Sequence, residues 1–239
     1  MKRNPPWSVE VHDRSLVVQL PRTYRTLSWA SLGGGSKRAN VIINHQIESD
    51  DRAAADAPHR YLAALARSLG HNPHSTVAMM TGVRMRNARV VNLSRQDLIV
   101  SAWCTAGCSN ALRVGDAATV ELARPGTINI IVLINQALSP SAMVEAIQIA
   151  TEGRVAALVM ATIKSVTSHK LATGTGTDCI VVAAPDALPV HMYCGKHTRL
   201  GELIGLAVVR SCTRALGAWS HMNEKSASAA YLLTRGRDD

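Results

Sequence analysis

Short apolar runs rich in Val and Ile recur along the whole chain, and most are closed off by a polar stretch that carries glycine. β-Branched residues in runs bounded by Gly, Asn, Ser or Pro suit strands. Such runs occupy residues 16–20, 26–30, 75–80, 89–93, 97–103, 128–134 and 179–183. Apolar stripes at helical spacing fall between and after them. Asp56 and Pro58 open one helix, with Tyr61, Leu62, Leu65 and Leu69 on one face and Gly70 as its stop. Ser139-Pro140 opens a longer one, expected to reach about Lys164 with Met143, Ile147, Ala150 and Val155 inward. Thr198 caps a third, running to about Leu216 with Leu203, Ala207 and Val208 inward, and residues 226–233 are expected to add a short fourth. Residues 41–44 read equally as a strand or a helix start, and residues 53–55 as a loop. The pattern predicts an α/β or α+β fold: one domain over residues 1–239, with a central mixed sheet, packed helices and poorly ordered ends at about 1–12 and 234–239. Strand order is not legible in it.

Composition narrows the function classes. Nearly half the residues are apolar, enough for a full core, yet Phe is absent and the aromatics are four Trp and four Tyr. That disfavours stacking platforms for single-stranded nucleic acid. The net charge of +9 is spread along the chain, with a modest concentration at Arg84, Arg86, Arg89 and Arg95, so a basic solvated surface is expected rather than a specific nucleic-acid partner. Five cysteines without a secretion signal suggest reduced thiols in a cytoplasm, and no apolar stretch reaches the length of a membrane span. Cys104 and Cys108 are spaced four apart, but no second pair or His cluster completes a zinc site.

Four polar stretches carry the candidate chemistry: TAGCSNA at 105–111, PGTIN at 125–129, TGTGTD at 173–178 and GKHTRLGE at 195–202. Glycine permits sharp turns and close approach to a ligand, while Thr, Ser and Asn offer compact hydrogen-bonding groups. The four together read as the lining of one site. Amide hydrolysis needs an activated nucleophile, donors for an oxyanion and a proton for the leaving amine. Thr173 to Thr177 offer successive backbone N–H groups for an anion or oxyanion, with Gly174, Thr175, Gly176 and Thr177 as candidate substrate contacts. Asp178 is a candidate general base, an orienting group, or a cap for its own loop. His197 is the histidine best placed for proton transfer, beside Lys196, and Glu202 is either a base or a capping-box partner of Thr198. Thr105, Ser109, Asn110, Thr127 and Asn129 are candidate substrate contacts, because hydroxyls and carboxamides both donate and accept, and Lys196 is a further one. Glu152 is a weaker candidate and Glu145 an ordinary surface charge. Cys108, Ser109 or Thr105 would serve in a covalent alternative.

These stretches, with MMTGV at 79–83 and AIQIATEG at 146–153, resemble the adenosylcobinamide amidohydrolase family in matching order, roughly from residue 16 to 216. The resemblance implies hydrolysis of adenosylcobinamide to adenosylcobyric acid and aminopropanol, a salvage step toward cobalamin. The corrinoid, with its cobalt, would be the substrate. No further cofactor is expected, and metal dependence and homo-oligomerisation stay open. The reading from the residues is attack by water, with Asp178 or Glu202 as base and His197 as acid. A corrinoid face would need apolar contacts, for which Met79, Met80, Trp103 and Ile130 are available, each also an ordinary core residue. A non-catalytic corrinoid-binding protein is one alternative. An amidase or acyltransferase with a Thr, Ser or Cys nucleophile is another.

Overall fold

The computed structural model describes residues 4–12, 14–48, 50–118, 126–188 and 190–235, with side chains through residue 220. In chain order the elements are β1 (Ser8–Val11), β2 (Ser15–Ser28), β3 (Gly35–Gln46), α1 (Arg52–Asp56), α2 (Pro58–Ser68), β4 (Thr76–Thr81), β5 (Arg89–Arg95), β6 (Leu98–Ala106), β7 (Ala111–Leu112), β8 (Ile128–Ile134), β9 (Ala137–Leu138), α3 (Pro140–Met160), β10 (Gly174–Thr175), β11 (Cys179–Pro185), β12 (Val190–His191) and α4 (Arg199–Arg235). Eight strands form one mixed sheet in the order β4-β3-β2-β11-β8-β6-β5, with β1 added on β2. The expected single-domain class, a mixed sheet with packed helices, is what the chain adopts.

The sheet has two arms. β8 and β11 are parallel neighbours joined through α3, and every residue of both strands is buried. Continuous apolar runs such as INIIVLI suit that position, because both faces of these strands are covered. On one face lie α3 and α4, where Met143, Ile149, Leu203, Ile204 and Val208 pack on Val100, Ile130, Val132, Ile180 and Val182. The two helices approach closely at Gly153, where an added Cβ would lie 3.1 Å from Val208 Cγ1. On the other face, Ile131, Leu133 and Val181 meet Leu16, Val18, Ile42 and Val77 from the second arm, built of β2, β3 and β4. β2 and β3 fold over because their pairing shifts register between Gln19 and Tyr24, a bulge-like irregularity next to Pro21. The back of this second arm is covered by α2, through Leu62, Ala63 and Ala66 on Val17, Val41 and Ile43.

Several local expectations are corrected. Residues 41–44 belong to strand β3, and residues 53–55 lie in the helix α1, capped by Asp51. Asp56 ends α1 and makes no cap for α2, which begins at Pro58 after Ala57. Ser139 does cap α3, accepting from Ala142 N, but the helix stops at Met160. α4 is one continuous helix where two were expected. Ser8–Val11, inside the stretch expected to be frayed, pairs antiparallel with β2. Residues 1–3 and 236–239 of the expected frayed ends, and Pro125 of the second polar stretch, lie outside the described residues. No helix among the described residues is long and apolar enough to cross a membrane.

Candidate functional site

At the end of the sheet where β8 and β11 begin and β6 ends, the folded-over arm leaves a cleft of about 790 Å³. It is lined by Met79–Gly82, Asn110, Gly126, Thr127 and residues 177–179, together with Trp29, Ser31, Glu48, Asp51 and Pro58. Three of the four polar stretches therefore converge here, each entering or leaving a buried strand.

Asp178 holds these loops together. Its carboxylate accepts from Ile128 N at 2.9 Å, Thr175 N at 2.9 Å and Thr175 Oγ1 at 2.5 Å. Arg154 of α3 pairs with it at 2.9 Å, the two side chains 12% and 6% exposed. Its backbone oxygen accepts from the Trp29 indole at 2.5 Å, fixing that half-exposed ring in the cleft wall. With four donors on one buried carboxylate, the geometry favours the loop-holding role among the three foreseen for this residue. Thr177 donates to Gly126 O at 3.0 Å and meets the Thr127 hydroxyl at 2.7 Å, tying the second and third stretches together.

Beneath the cleft lies a buried polar floor. Asn129 Nδ2 donates to Asn44 Oδ1 at 2.9 Å and to Met80 O at 2.8 Å, and Asn44 Nδ2 donates to Thr105 Oγ1 at 3.0 Å. These bonds join β3, β4, β6 and β8, and so clasp the two arms of the sheet. Thr105 and Asn129, expected to touch substrate, are about 1% exposed and are not among the lining residues. Asn110, 8% exposed, does line the cleft, and its Oδ1 is buried with no hydrogen-bond partner. Gly126 must be glycine for this to hold, since an added Cβ would sit 2.2 Å from that same Oδ1. Ser109 lies one residue before it and is half-buried, outside the lining.

Gly174, Thr175 and Gly176 face a second, smaller pocket of about 350 Å³ with Arg113 and Arg154, and Asp178 borders both spaces. The expected row of free N–H groups is partly spent: Thr173 N goes to Leu112 O, and Thr175 N to Asp178.

The fourth stretch lies elsewhere. Glu202 pairs with Arg95 at 2.7 Å, and Arg199 bonds Gln96, in the turn between β5 and β6. Arg95 is opposite Leu98 in the register, and Thr105 is opposite Asn129. From Leu98 to Thr105 the strand runs about 23 Å. Asp178 and Glu202 thus sit at opposite ends of the sheet, and the trio of Asp178, Glu202 and His197 is not assembled. Thr198 does cap α4, accepting from Gly201 N at 2.9 Å, but Glu202 turns away from it to Arg95. Lys196 pairs with Glu152 at 2.6 Å on the surface, and together with Gln148 holds that carboxyl below the usual range. None of Lys196, His197 and Glu202 lines either pocket.

Burial pushes the Cys108 thiol up to about 12, with Asp178 and Cys212 adding to the effect, so a thiolate nucleophile there is disfavoured. All five cysteines are free and buried. Among the described residues, no three His, Cys, Asp or Glu side chains are grouped to hold a metal ion. Met80 is half-buried at the cleft; Met79 borders the cleft but is 1% exposed and belongs to the core, as do Trp103 and Ile130. Sequence reasoning passed over Trp29, Glu48 and Asp51. The Asp51-Arg52-Ala53-Ala54 wording is an N-cap signal that would have revealed α1, and with it one cleft wall.

Residues 4–224 match the model of the family described as adenosylcobinamide amidohydrolase. The chain is 28% identical over 217 residues to a protein named adenosylcobinamide amidohydrolase in Halobacterium salinarum, covering 85% of this chain and 82% of that one. A protein of the same name in Methanosarcina mazei is 27% identical over 215 residues, covering 86% and 96%. An uncharacterised protein of Methanocaldococcus jannaschii is 29% identical over 235 residues, covering 88% and 91%.

Proposed function

The chain belongs to the adenosylcobinamide amidohydrolase family, and from that premise we propose that it hydrolyses the aminopropanol amide of adenosylcobinamide, giving adenosylcobyric acid. The observation that carries this reading is the convergence of Asn110, Thr127 and Thr177 on one cleft walled by Trp29, Met79 and Met80. A corrin presents a broad apolar face and a rim of carboxamides. The Met80 and Trp29 side chains suit the face, and the unpartnered Asn110 Oδ1 suits an amide N–H of the rim. The buried Asn44–Thr105–Asn129 network holds the loops that present these groups, as a rigid support would.

The chemistry is attack of water on the amide carbonyl, followed by protonation of the leaving nitrogen. Asp178 serves by fixing the loop rather than by moving a proton. The test is mass spectrometry of adenosylcobinamide incubated with the purified protein, with and without a chelator. Adenosylcobyric acid and aminopropanol are the expected products. Tight binding with an unchanged ligand would instead establish a corrinoid-binding protein, and an acylated protein mass would establish a covalent mechanism.

A further inference from the structure

A chain of hydrogen bonds runs from the protein interior to the cleft wall, and no step described above uses it. Ser15 Oγ lies 2.8 Å from His45 Nδ1, and His45 Nε2 lies 3.2 Å from the Tyr61 hydroxyl. Tyr61 in turn lies beside Asp51, which lines the cleft, and burial first and then the Asp51 carboxylate raise the Tyr61 pKa. Ser15 and His45 are buried, 3% and 5% exposed. A carboxylate can only accept, so the Tyr61 hydroxyl is the donor toward Asp51. Burial and the charge of Arg14 push the His45 pKa down, with Asp51 and a hydrogen bond to the Arg14 backbone opposing, which favours the neutral ring.

The carboxylates lining the cleft among the described residues are Glu48, Asp51 and Asp178. Asp178 carries four donors. Glu48 is well exposed, and its bonds go to Gln46 at 3.2 Å and Arg14 at 3.9 Å. Asp51 accepts one backbone N–H, from Ala54 at 3.1 Å, besides the Tyr61 hydroxyl, leaving acceptor capacity on a carboxylate held in place from behind.

We infer that Asp51 is the carboxylate that takes the proton from the attacking water, with Tyr61 and His45 as the residues that position it. The inference rests on the cleft being the amidohydrolase site. Water oxygen bonds to the amide carbon while its proton passes to Asp51. The same proton then goes to the amide nitrogen, the C–N bond breaks with its electron pair leaving on nitrogen, and a carboxylic acid, a free amine and the Asp51 carboxylate remain.

Asp51→Asn keeps the α1 cap, because Asn caps as well as Asp. It is expected to lower kcat at least about 100-fold with KM nearly unchanged, as loss of a general base does. Tyr61→Phe removes the hydroxyl that positions the carboxylate, so kcat is expected to fall about 10-fold with KM nearly unchanged. Arg14 and His45 also lie near this group, so both variants are assayed at one pH and constant ionic strength. An active wild type with a folded Asp51→Asn or Tyr61→Phe variant that keeps wild-type kcat overturns the assignment alone. A wild type that binds adenosylcobinamide without turnover overturns the assignment together with the function it rests on.

Discussion

The two ends of the sheet carry similar wording in the sequence and opposite physics in the structure. Where β8 and β11 begin, glycine, threonine and asparagine loops are tucked under a folded arm, and their polar groups bond to one another in a buried frame around Asp178 and Asn129. Where α4 begins, a loop equally rich in glycine and charge lies on the surface. Its charged groups pair with whatever is nearest: Lys196 with Glu152, Glu202 with Arg95. Burial makes the difference. Burying an unpaired polar group is costly; most of those in the frame are paired, with Asn110 Oδ1 and Asn129 Oδ1 left over, and such a network is rigid enough to position a ligand. An exposed ion pair is screened and exchanges readily with water.

The sharpest break of this comparison is Asp178→Ala. It leaves Arg154 and two backbone N–H groups without their acceptor, and is expected to cost about 3–5 kcal/mol in chemical denaturation, as loss of one partner of a buried pair does. A cost no larger than that of a surface pair would mean the cleft end is no better organised than the other. Gly126→Ala comes next. Its Cβ would displace Asn110 and press on Gly107 O at 3.0 Å. About 1–3 kcal/mol of destabilisation from overpacking is expected, with a KM rise if Asn110 holds the substrate amide. Glu202→Gln and His197→Ala are the counterparts at the far end, with turnover expected at the wild-type level and stability within about 1 kcal/mol. A lost kcat in either would return the fourth stretch to the active site.

The smallest expected effect is on pH dependence. His45 in the folded protein has its pKa below the ordinary value of 6.5, so the unfolded chain binds the extra proton more readily. The stability this contributes is complete above about that value and is lost as pH falls below it. Melting temperature from pH 7.5 to 5.5 should therefore fall more in wild type than in His45→Gln, by about a degree or two. Equal falls would show that His45 does not hold its neutral form.

Much of this architecture is written locally. The runs that became β8 and β11 are all-apolar because both faces are covered, and Ser139-Pro140 marks the start of α3 as a cap and first-turn proline should. The site was legible only in part. Gly126 and Asn110 stood in polar stretches, but their contact depends on how two loops far apart in sequence come together. Asn44 sat in a run that suited a strand and a helix equally, and its partners Thr105 and Asn129 become neighbours only because β2 and β3 bend at the register shift. Asp51 stands just before residues 53–55, which read as a loop. Glu202 looked equivalent to Asp178 because sequence spacing holds no measure of which end of a sheet a loop occupies.

The most direct test is hydrogen–deuterium exchange of the wild-type protein with and without excess adenosylcobinamide, read by peptide mass spectrometry. Slower exchange at residues 50–58, 107–111, 126–128 and 174–178, with residues 195–202 unchanged, is the predicted result. Protection confined to residues 195–202, with the cleft loops exchanging as before, would contradict the placement of the site.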